Sequence, residues 1–195
     1  HLPPADAEGF VPIFNGVDFT GWAGHRKGYT IEEGILSSQP NSLNLYSVKS
    51  YDDFVLRFEF KLTPGANNGL GVRVPMMGHA SEDGIELQIL DDSAAEYADL
   101  KPYQFHGSVY GVVPAERGHL KPVGEWNTQE VTAKGSKLTV VLNGVPIIDV
   151  DLKDYYDNIP DDKDRHGIKN TGGHFSFAGH GDVVYFRNLR VKESD

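Results

Sequence analysis

The most constraining feature of this sequence is a strict alternation between residues 53 and 62. Every second position from Phe54 to Leu62 is Phe or Leu, and the positions between them are Val55, Arg57, Glu59 and Lys61. Because successive side chains of a strand point to opposite faces, this run predicts a strand with one dry face and one wet face. A slip of one residue would put every Phe in water, so the register of this strand is strongly specified.

Further short strands follow along the chain, separated by turn signals. The chain contains 22 Gly and 11 Pro, and Asn143-Gly144 between two apolar runs is a strong hairpin signal. The pattern indicates about a dozen short strands, no long helix and no internal repeat. It predicts an all-β fold, an antiparallel two-sheet sandwich or jelly roll.

Length and charge bound the organisation and the partners of the chain. Its 195 residues can form one domain with a sizeable core, and we expect a loose lead-in over residues 1–8 followed by a single domain over residues 9–195. The formal net charge of -10 argues against a nucleic-acid partner, because binding a phosphate backbone requires clustered Lys and Arg. No apolar run approaches the length of a membrane span.

A second strand, in residues 84–91, carries polar side chains on one face. Its apolar residues alternate with Glu86 and Gln88, so a carboxylate and an amide share the face turned away from the core. A one-residue bulge near the end of the run would turn Asp91 onto the same face, and without it Asp91 points away. These groups suit sugar chemistry, which needs hydroxyl partners and an acid or base, although a merely half-solvated strand would show the same pattern.

Two irregular segments supply further candidates. Residues 91–124 show no sustained period and carry His106 and Tyr110, and a loop that long in a compact domain is usually functional. His180 stands between two glycines, which let backbone and ligand approach closely, so it is either a site residue or a turn residue. We therefore predict that the loop and the glycine turn line the same cleft as the polar strand.

Three more residues are candidates for substrate binding. Arg73 alternates with apolar neighbours and is expected on the same face as Glu86, as a binding group or as half of a cross-strand ion pair. Trp126 is either a sugar-stacking platform or a core residue. Asn127, on the opposite face of that strand, either binds hydroxyl groups or caps a turn.

Several motifs along the chain occur in a recognisable order. They run from F-V-P-I-F-N-G-V-D-F-T-G-W near the start, through G-L-G-V-R-V-P and G-I-E-L-Q-I-L-D, to V-Y-F-R-N-L-R-V near the end. In this order the chain resembles the 3-keto-disaccharide hydrolase domain family, which is related in fold to concanavalin A-like lectins and glucanases. The resemblance implies a jelly roll whose concave face binds sugar, in exported bacterial proteins of the periplasm, cell surface or extracellular space. It also implies substrates already oxidised at the 3-position, and hence functional coupling to a sugar 3-dehydrogenase.

A 3-ketone makes the hydrogen at the 2-position acidic, so the group at the 1-position can be eliminated before water adds. This route needs a base, a group that stabilises the enolate oxygen and an acid for the departing oxygen. Glu86 is the candidate base, Arg73 or a loop His the candidate for the oxyanion, and His180 or His106 the candidate acid. A divalent metal that polarises the ketone is an open alternative, although no ligand motif such as H-E-x-x-H is present.

Three other functions stay open. The polar strand also resembles that of laminarinase-like glucanases, whose signature is Glu, any residue, Asp, one or two residues, Glu. Here Glu86, Gln88 and Asp91 fill that frame, with an amide in place of the central Asp, whereas retaining hydrolysis needs two carboxyl groups roughly 5–5.5 Å apart. A non-catalytic carbohydrate-binding module would use the same polar face, and a protein-interaction domain would show an exposed apolar patch.

Overall fold

The computed structural model describes residues 4–194, so part of the expected lead-in over residues 1–8 and the last residue of the expected domain lie outside the described residues. The strands are β1 (Val11–Pro12), β2 (Trp22–Gly24), β3 (Tyr29–Glu32), β4 (Ile35–Ser38), β5 (Asn44–Tyr51), β6 (Phe54–Leu62), β7 (Asn67–Val74), β8 (Ile85–Leu90), β9 (Trp126–Lys134), β10 (Lys137–Leu142), β11 (Val145–Asp151), β12 (Gly173–Ala178) and β13 (Val184–Glu193). One short α-helix, α1, spans Ala80–Asp83, and 3-10 turns span Arg26–Gly28, Ala95–Tyr97, Pro102–Gln104, Leu152–Tyr155 and His166–Lys169. Within residues 4–194, no helix combines the length and the apolar character needed to cross a membrane.

The strands form two antiparallel sheets. The larger sheet has eight strands in the order β11-β10-β9-β6-β13-β4-β3, with β1 paired to β13. The smaller sheet has five strands in the order β2-β5-β12-β7-β8. The predicted all-β fold with two antiparallel sheets is therefore confirmed.

The core lies between the two sheets, where the alternating residues of β6 meet the aromatic residues of β12. Burial along β6 alternates as predicted, with every Phe and Leu buried and every residue between them half-buried. Phe54 packs edge-on against Phe175 at a ring-centroid distance of 4.8 Å, and Phe177 lies 4.2 Å from Phe186 of β13. Burying each such side chain contributes about 1.5–3 kcal/mol, which fixes the register of both sheets.

The outer face of the smaller sheet, which points away from the core, is lined by small residues at its centre. Gly69 and Gly71 of β7 stand beside Ser176 and Ala178 of β12. The space above this surface is narrow. A Cβ at position 71 would lie 2.8 Å from the Cβ of Ala80 in α1, so a side chain larger than that of glycine does not fit there. Small side chains leave a floor close to the backbone, and neighbouring segments rise around it.

Two segments form walls around this floor. Residues 75–83, which include α1, cross the outer face, where Tyr46 donates a hydrogen bond to Gly78 O at 2.8 Å. Residues 107–110 run antiparallel to β8, with Gln88 N donating to Ser108 O at 3.0 Å and Tyr110 N to Glu86 O at 2.8 Å. These walls convert an open sheet face into a pocket.

Candidate active site

A pocket of about 200 Å³ lies on the outer face of the smaller sheet, between these walls. Its floor comes from β7, β8 and β12, one wall from the start of α1 and the other from the segment that follows β8. The residues that line it are Asn44, Asn67, His79, Ala80, Ser81, Glu86, Gln88, Tyr110, Ala178 and His180. Among these lining residues, Glu86 supplies the sole carboxylate.

Glu86 lies on the outer face, as predicted, but the walls cover it almost completely. Its side chain is on the same side of the sheet as Gly69 and Gly71, and only 8% of the residue is exposed. Burial raises the pKa of Glu86 to about 7, while the positive charge of Arg165 acts in the opposite direction. A carboxyl group with such a pKa is partly ionised near neutral pH and can accept a proton there.

Tyr110 and His180 share the pocket with Glu86. The Tyr110 hydroxyl accepts a hydrogen bond from Gln104 Nε2 at 3.2 Å, which leaves its own proton to donate. His180 is exposed at the rim, yet neighbouring groups remove enough water from its ring to lower its pKa, and the Asp182 carboxylate opposes this effect. The pocket thus offers a hydroxyl donor and a largely neutral imidazole beside one carboxyl group.

Side-chain amides complete the polar lining. Gln88 stands two residues after Glu86 on the same face, and Asn44 and Asn67 come from the strands β5 and β7. Asn67 N donates to Asp182 Oδ2 at 2.9 Å, and Asn67 Oδ1 is a buried oxygen without a hydrogen-bond partner in residues 4–194. Amide groups both donate and accept hydrogen bonds, which suits the hydroxyl groups of a sugar.

The structure places Arg73 away from this pocket, contrary to the prediction. β7 carries a bulge there, because the step from Gly71 to Val74 spans three residues while the paired step from Ser176 to His174 on β12 spans two. Arg73 adopts a positive φ of 52° and is 2% exposed. Its guanidinium donates to the carbonyl oxygens of Asp52, Gly135 and Asn170 and pairs with Asp53 Oδ1 at 3.0 Å. Arg73 therefore ties loops together.

Asp91 also lies elsewhere, because β8 has no bulge. The pairing of β7 with β8 runs without a register shift, so Asp91 points away from the face of Glu86. Its carboxylate instead accepts from Gly65 N at 2.8 Å and from the hydroxyl of Ser93 at 2.5 Å. Asp91 organises the turn at the end of the strand, and it borders a different cavity next to Arg117.

His106 is a core residue in the structure, not a residue of the pocket. Its ring stacks on Phe60 at a centroid distance of 5.0 Å, with only 2% of the residue exposed. Nδ1 accepts from Leu90 N at 3.2 Å, so Nε2 carries the proton and donates to Gln129 Oε1 at 2.8 Å. Burial lowers the pKa of His106 to about 4, which keeps the ring neutral and packed inside the fold.

Trp126 and Asn127 belong to β9 of the larger sheet and so do not reach the pocket. Trp126 is half-buried on the outer face of that sheet, and the guanidinium of Arg187 covers its ring at 3.8 Å. The ring is therefore neither a core residue nor a free stacking platform. Asn127 is buried, and its Oδ1 accepts from Lys121 N and from Asn143 Nδ2, both at 2.9 Å. Asn127 fixes a loop, which agrees with the structural alternative for this residue.

Several pocket residues were not singled out by the sequence. His79 is exposed and stands at the rim of the pocket. Asn44, Asn67 and Ser81 reach the pocket of Glu86 only through the fold, and no local sequence pattern marks them. Arg165, in a charged loop, is buried behind the pocket. The one sequence signal that could have pointed to Arg165 is its position as an arginine among the many Asp residues of this loop.

A divalent metal that polarises the ketone is the alternative to catalysis by side chains alone. Within the part of the chain that the structure describes, no group of three or more His, Cys, Asp or Glu side chains is arranged to hold a metal ion.

The fold and the pocket define a class. An antiparallel two-sheet sandwich with a carboxyl group, amides and a tyrosine hydroxyl gathered on one sheet face is suited to carbohydrates, whose hydroxyl groups donate and accept hydrogen bonds. Residues 9–192 match the model of the 3-keto-alpha-glucoside-1,2-lyase-like domain, and the chain belongs to this family. The predicted family is confirmed, and with it the prediction of a carbohydrate-acting enzyme.

Relatives and solved structures agree with this assignment. The chain is 27% identical to a 3-keto-disaccharide hydrolase of Bacteroides thetaiotaomicron, over 98% of this chain and 81% of the relative. A crystal structure described as a candidate glycosyl hydrolase from Parabacteroides distasonis superimposes with a TM-score of 0.80 at 29% identity, covering 97% of this chain and 96% of that one. The carbohydrate-binding module CBM66 from Bacillus subtilis shares the fold, with a TM-score of 0.59 at 16% identity over 91% of this chain and 98% of the module.

Proposed function

We propose that the chain cleaves 3-keto-glycosides, including 3-keto-disaccharides, by proton abstraction at the 2-position, elimination and hydration. The observation that carries this proposal is the position of Glu86, a buried carboxyl group with its pKa raised to about 7 on the floor of a polar pocket. A general base works best when its pKa lies near the operating pH. The family and the relative named as a 3-keto-disaccharide hydrolase support the choice of substrate class.

The proposed reaction needs no reagent other than the 3-keto-glycoside and water. Glu86 accepts the proton from C2, and the electron pair of the C2–H bond moves into the ketone to give an enolate. The enolate then re-forms the ketone and a C1=C2 double bond as the C1–O bond breaks and the departing oxygen takes a proton. Water adds to C1 while a proton returns to C2, so the net change is hydrolysis.

The other pocket groups have matching roles in this scheme. The Tyr110 hydroxyl, whose proton is free, donates a hydrogen bond to the enolate oxygen. It takes the role for which the sequence had suggested Arg73. His180 exchanges the proton of the departing oxygen or of the incoming water at the exposed rim. Gln88, with Asn44 and Asn67, binds the remaining hydroxyl groups of the sugar.

The arrangement of carboxyl groups favours elimination over laminarinase-like retaining hydrolysis. Retaining hydrolysis needs two carboxyl groups roughly 5–5.5 Å apart. Asp91 is five residues beyond Glu86, which on an extended strand corresponds to roughly 17 Å, and it faces the other way. A single carboxyl group in the pocket suffices for the elimination route, which uses no carboxylate nucleophile.

A 3-keto-glycoside must first be produced by oxidation of the sugar 3-hydroxyl. We therefore place this chain after a sugar 3-dehydrogenase in a reaction sequence. We also propose that the chain acts outside the cytoplasm, and this rests on the family resemblance alone, which implies exported bacterial proteins.

The decisive experiment compares matched substrates. The protein is incubated with one glycoside and with the same glycoside oxidised to the ketone at the 3-position, and release of the aglycone is measured. The proposal predicts release from the keto form and none above background from the plain form. Release from the plain form would favour an ordinary glycosidase, and binding of sugar without release from either form would favour a non-catalytic binding module, the second candidate suggested by the shared fold with CBM66.

A further inference from the structure

A buried arginine lies behind the pocket without lining it. Arg165 is only 6% exposed, and its Nη2 and Nε lie 2.5 Å and 3.2 Å from Asp161 Oδ2. Removing two charges from water carries a desolvation cost that an apolar pair of similar volume would avoid. Stability alone therefore does not explain why this position holds an ion pair.

Arg165 contacts both walls that flank Glu86. Its Nη1 donates to Ser81 O in α1 at 2.9 Å, and its Cζ lies 5.5 Å from the ring centroid of Tyr110. Tyr110 in turn donates from its backbone N to Glu86 O at 2.8 Å. The guanidinium thus ties α1 to the 107–110 segment, the two walls of the pocket that holds Glu86.

Gly111, next to Tyr110, leaves the space that the Arg165–Asp161 ion pair occupies. Gly111 has a positive φ of 78°, and a Cβ there would lie 2.3 Å from Asp161 Oδ2 and 2.8 Å from Arg165 Nε. These overlaps are too short for any side chain to be accepted without displacing the pair. Only glycine combines the backbone conformation with the close approach.

Several charged or titratable groups surround Glu86. They are His79 at the start of α1, Tyr110 on the 107–110 segment, His180 with Asp182 after β12, and Arg165 with Asp161. β7 presents the uncharged Gly69 and Asn67. Arg165 is the permanently positive member of this set, since a guanidinium does not lose its proton in proteins.

We propose that Arg165 is a positioning residue for the Glu86 base: Asp161 and Ser81 hold its guanidinium where its positive charge faces the carboxyl group, and the same contacts hold the two walls in place. This inference rests on the proposed function. Arg165 acts through Glu86 and does not touch the substrate. Asp161 partly offsets its charge, so the two members of the pair influence Glu86 in opposite directions.

The test follows the titration of Glu86 directly and needs no substrate. The pH dependence of the Glu86 carboxyl carbon is recorded by ¹³C NMR in the full chain, with the resonance assigned by its absence in Glu86→Gln. Arg165→Met removes the positive charge, so we expect the titration midpoint to rise by roughly one pH unit, the low end of the effect of a nearby opposite charge. Asp161→Asn leaves Arg165 unopposed and should lower the midpoint, while Arg165→Lys keeps the charge and should stay near the wild-type value.

Arg57→Met is the matched control, because Arg57 pairs with Glu130 on the outer face of the other sheet and should leave the midpoint unchanged. An unchanged midpoint in folded Arg165→Met, or shifts of the same sign in Arg165→Met and Asp161→Asn, overturns the proposal. If Arg165→Met does not fold, Asp161→Asn decides, with a lowered midpoint in support and an unchanged one against.

The pH profile of kcat/KM on a 3-keto-glycoside separates this proposal from the proposed function. Its acid limb should move with the NMR midpoint in each variant. Opposite shifts in the two variants without turnover of any 3-keto-glycoside would support the coupling and overturn only the proposed function. Turnover that depends on Glu86, with no shift of its midpoint, would overturn only the role of Arg165.

Discussion

The carboxyl group of Glu86 lies directly over Gly69 of the neighbouring strand. A Cβ built at position 69 would stand 2.7 Å from Glu86 Oε2 and 2.9 Å from its Cδ. The missing side chain of Gly69 is therefore what lets the carboxyl group rest on the floor of the pocket. The residue at position 69 of β7 therefore controls where the carboxyl group of β8 lies.

This contact predicts the effect of Gly69→Ala. The atoms that a new methyl group meets are the far end of a flexible side chain, so we expect the fold to survive while the carboxyl group is displaced. A misplacement of about 1 Å can cost on the order of a hundredfold in rate, and kcat on a 3-keto-glycoside should fall by roughly 10- to 100-fold. Gly118→Ala is the control for kcat: its positive φ of 94° strains an alanine, but no atom lies within 4 Å of a Cβ there, so we expect kcat to stay at the wild-type value. Wild-type kcat in folded Gly69→Ala would contradict the assigned position of the base.

The raised pKa of Glu86 predicts a pH-dependent stability difference between the wild type and Glu86→Gln. Because the folded-state pKa of about 7 exceeds the ordinary glutamate pKa of 4.5, the wild type loses stability as the pH rises from about 4.5 to 7. Gln cannot ionise, so above pH 7 the variant should be more stable by at most about 3.5 kcal/mol, at about 1.4 kcal/mol for each of the 2.5 pKa units. Near pH 4 the two proteins should be equally stable.

Denaturant unfolding of both proteins at several pH values measures this difference. Glu125→Gln, at an exposed carboxylate, serves as the control and should show no comparable trend. A stability difference that does not change with pH would show that burial does not perturb Glu86 as described.

His106 is expected to matter for stability and not for catalysis. His106→Phe keeps an aromatic ring beside Phe60 but leaves Leu90 N and Gln129 Oε1 without their partner, which should cost about 1–3 kcal/mol for each buried group left unpaired. Since burial lowers the pKa of His106 to about 4, the wild type also loses stability as the pH falls from 6.5 to 4, and the variant lacks this loss. Equilibrium unfolding and kcat of the folded protein measure both effects. A large fall in kcat with unchanged stability would restore His106 to the catalytic set.

The alternation of apolar residues was sufficient to predict which faces of β6 and β8 enter the core. Five large apolar residues of β6 cannot be exposed together, so their burial is forced, and Ile85, Leu87 and Ile89 of β8 join the same core. Membership of the family also followed from the order of motifs. What the alternation could not give was the degree of burial of Glu86, since the walls that cover it come from distant segments.

The site residues that the sequence misplaced or missed have local physical explanations. A binary pattern does not encode bulges, so it left open a bulge at the end of β8, where the pairing shows no register shift, and missed the bulge at Arg73 in β7. The face of β9 that enters the core begins with the polar residues Asn127 and Gln129, which hid the true orientation of Trp126. Arg165 is buried by contacts with Asp161 and with α1, and those contacts arise only when the chain is folded.

The central claim is that Glu86 removes the proton at the 2-position of a 3-keto-glycoside. The most direct measurement runs the reaction in D₂O with wild type and with Glu86→Gln, and follows both the rate of aglycone release and the entry of deuterium at C2. We expect the wild type to incorporate deuterium at C2, and Glu86→Gln to lose at least about a hundredfold in rate, within the 10²–10⁴-fold contribution of a general base. Turnover of the keto substrate by wild type without deuterium at C2, or retained activity in folded Glu86→Gln, would contradict the account.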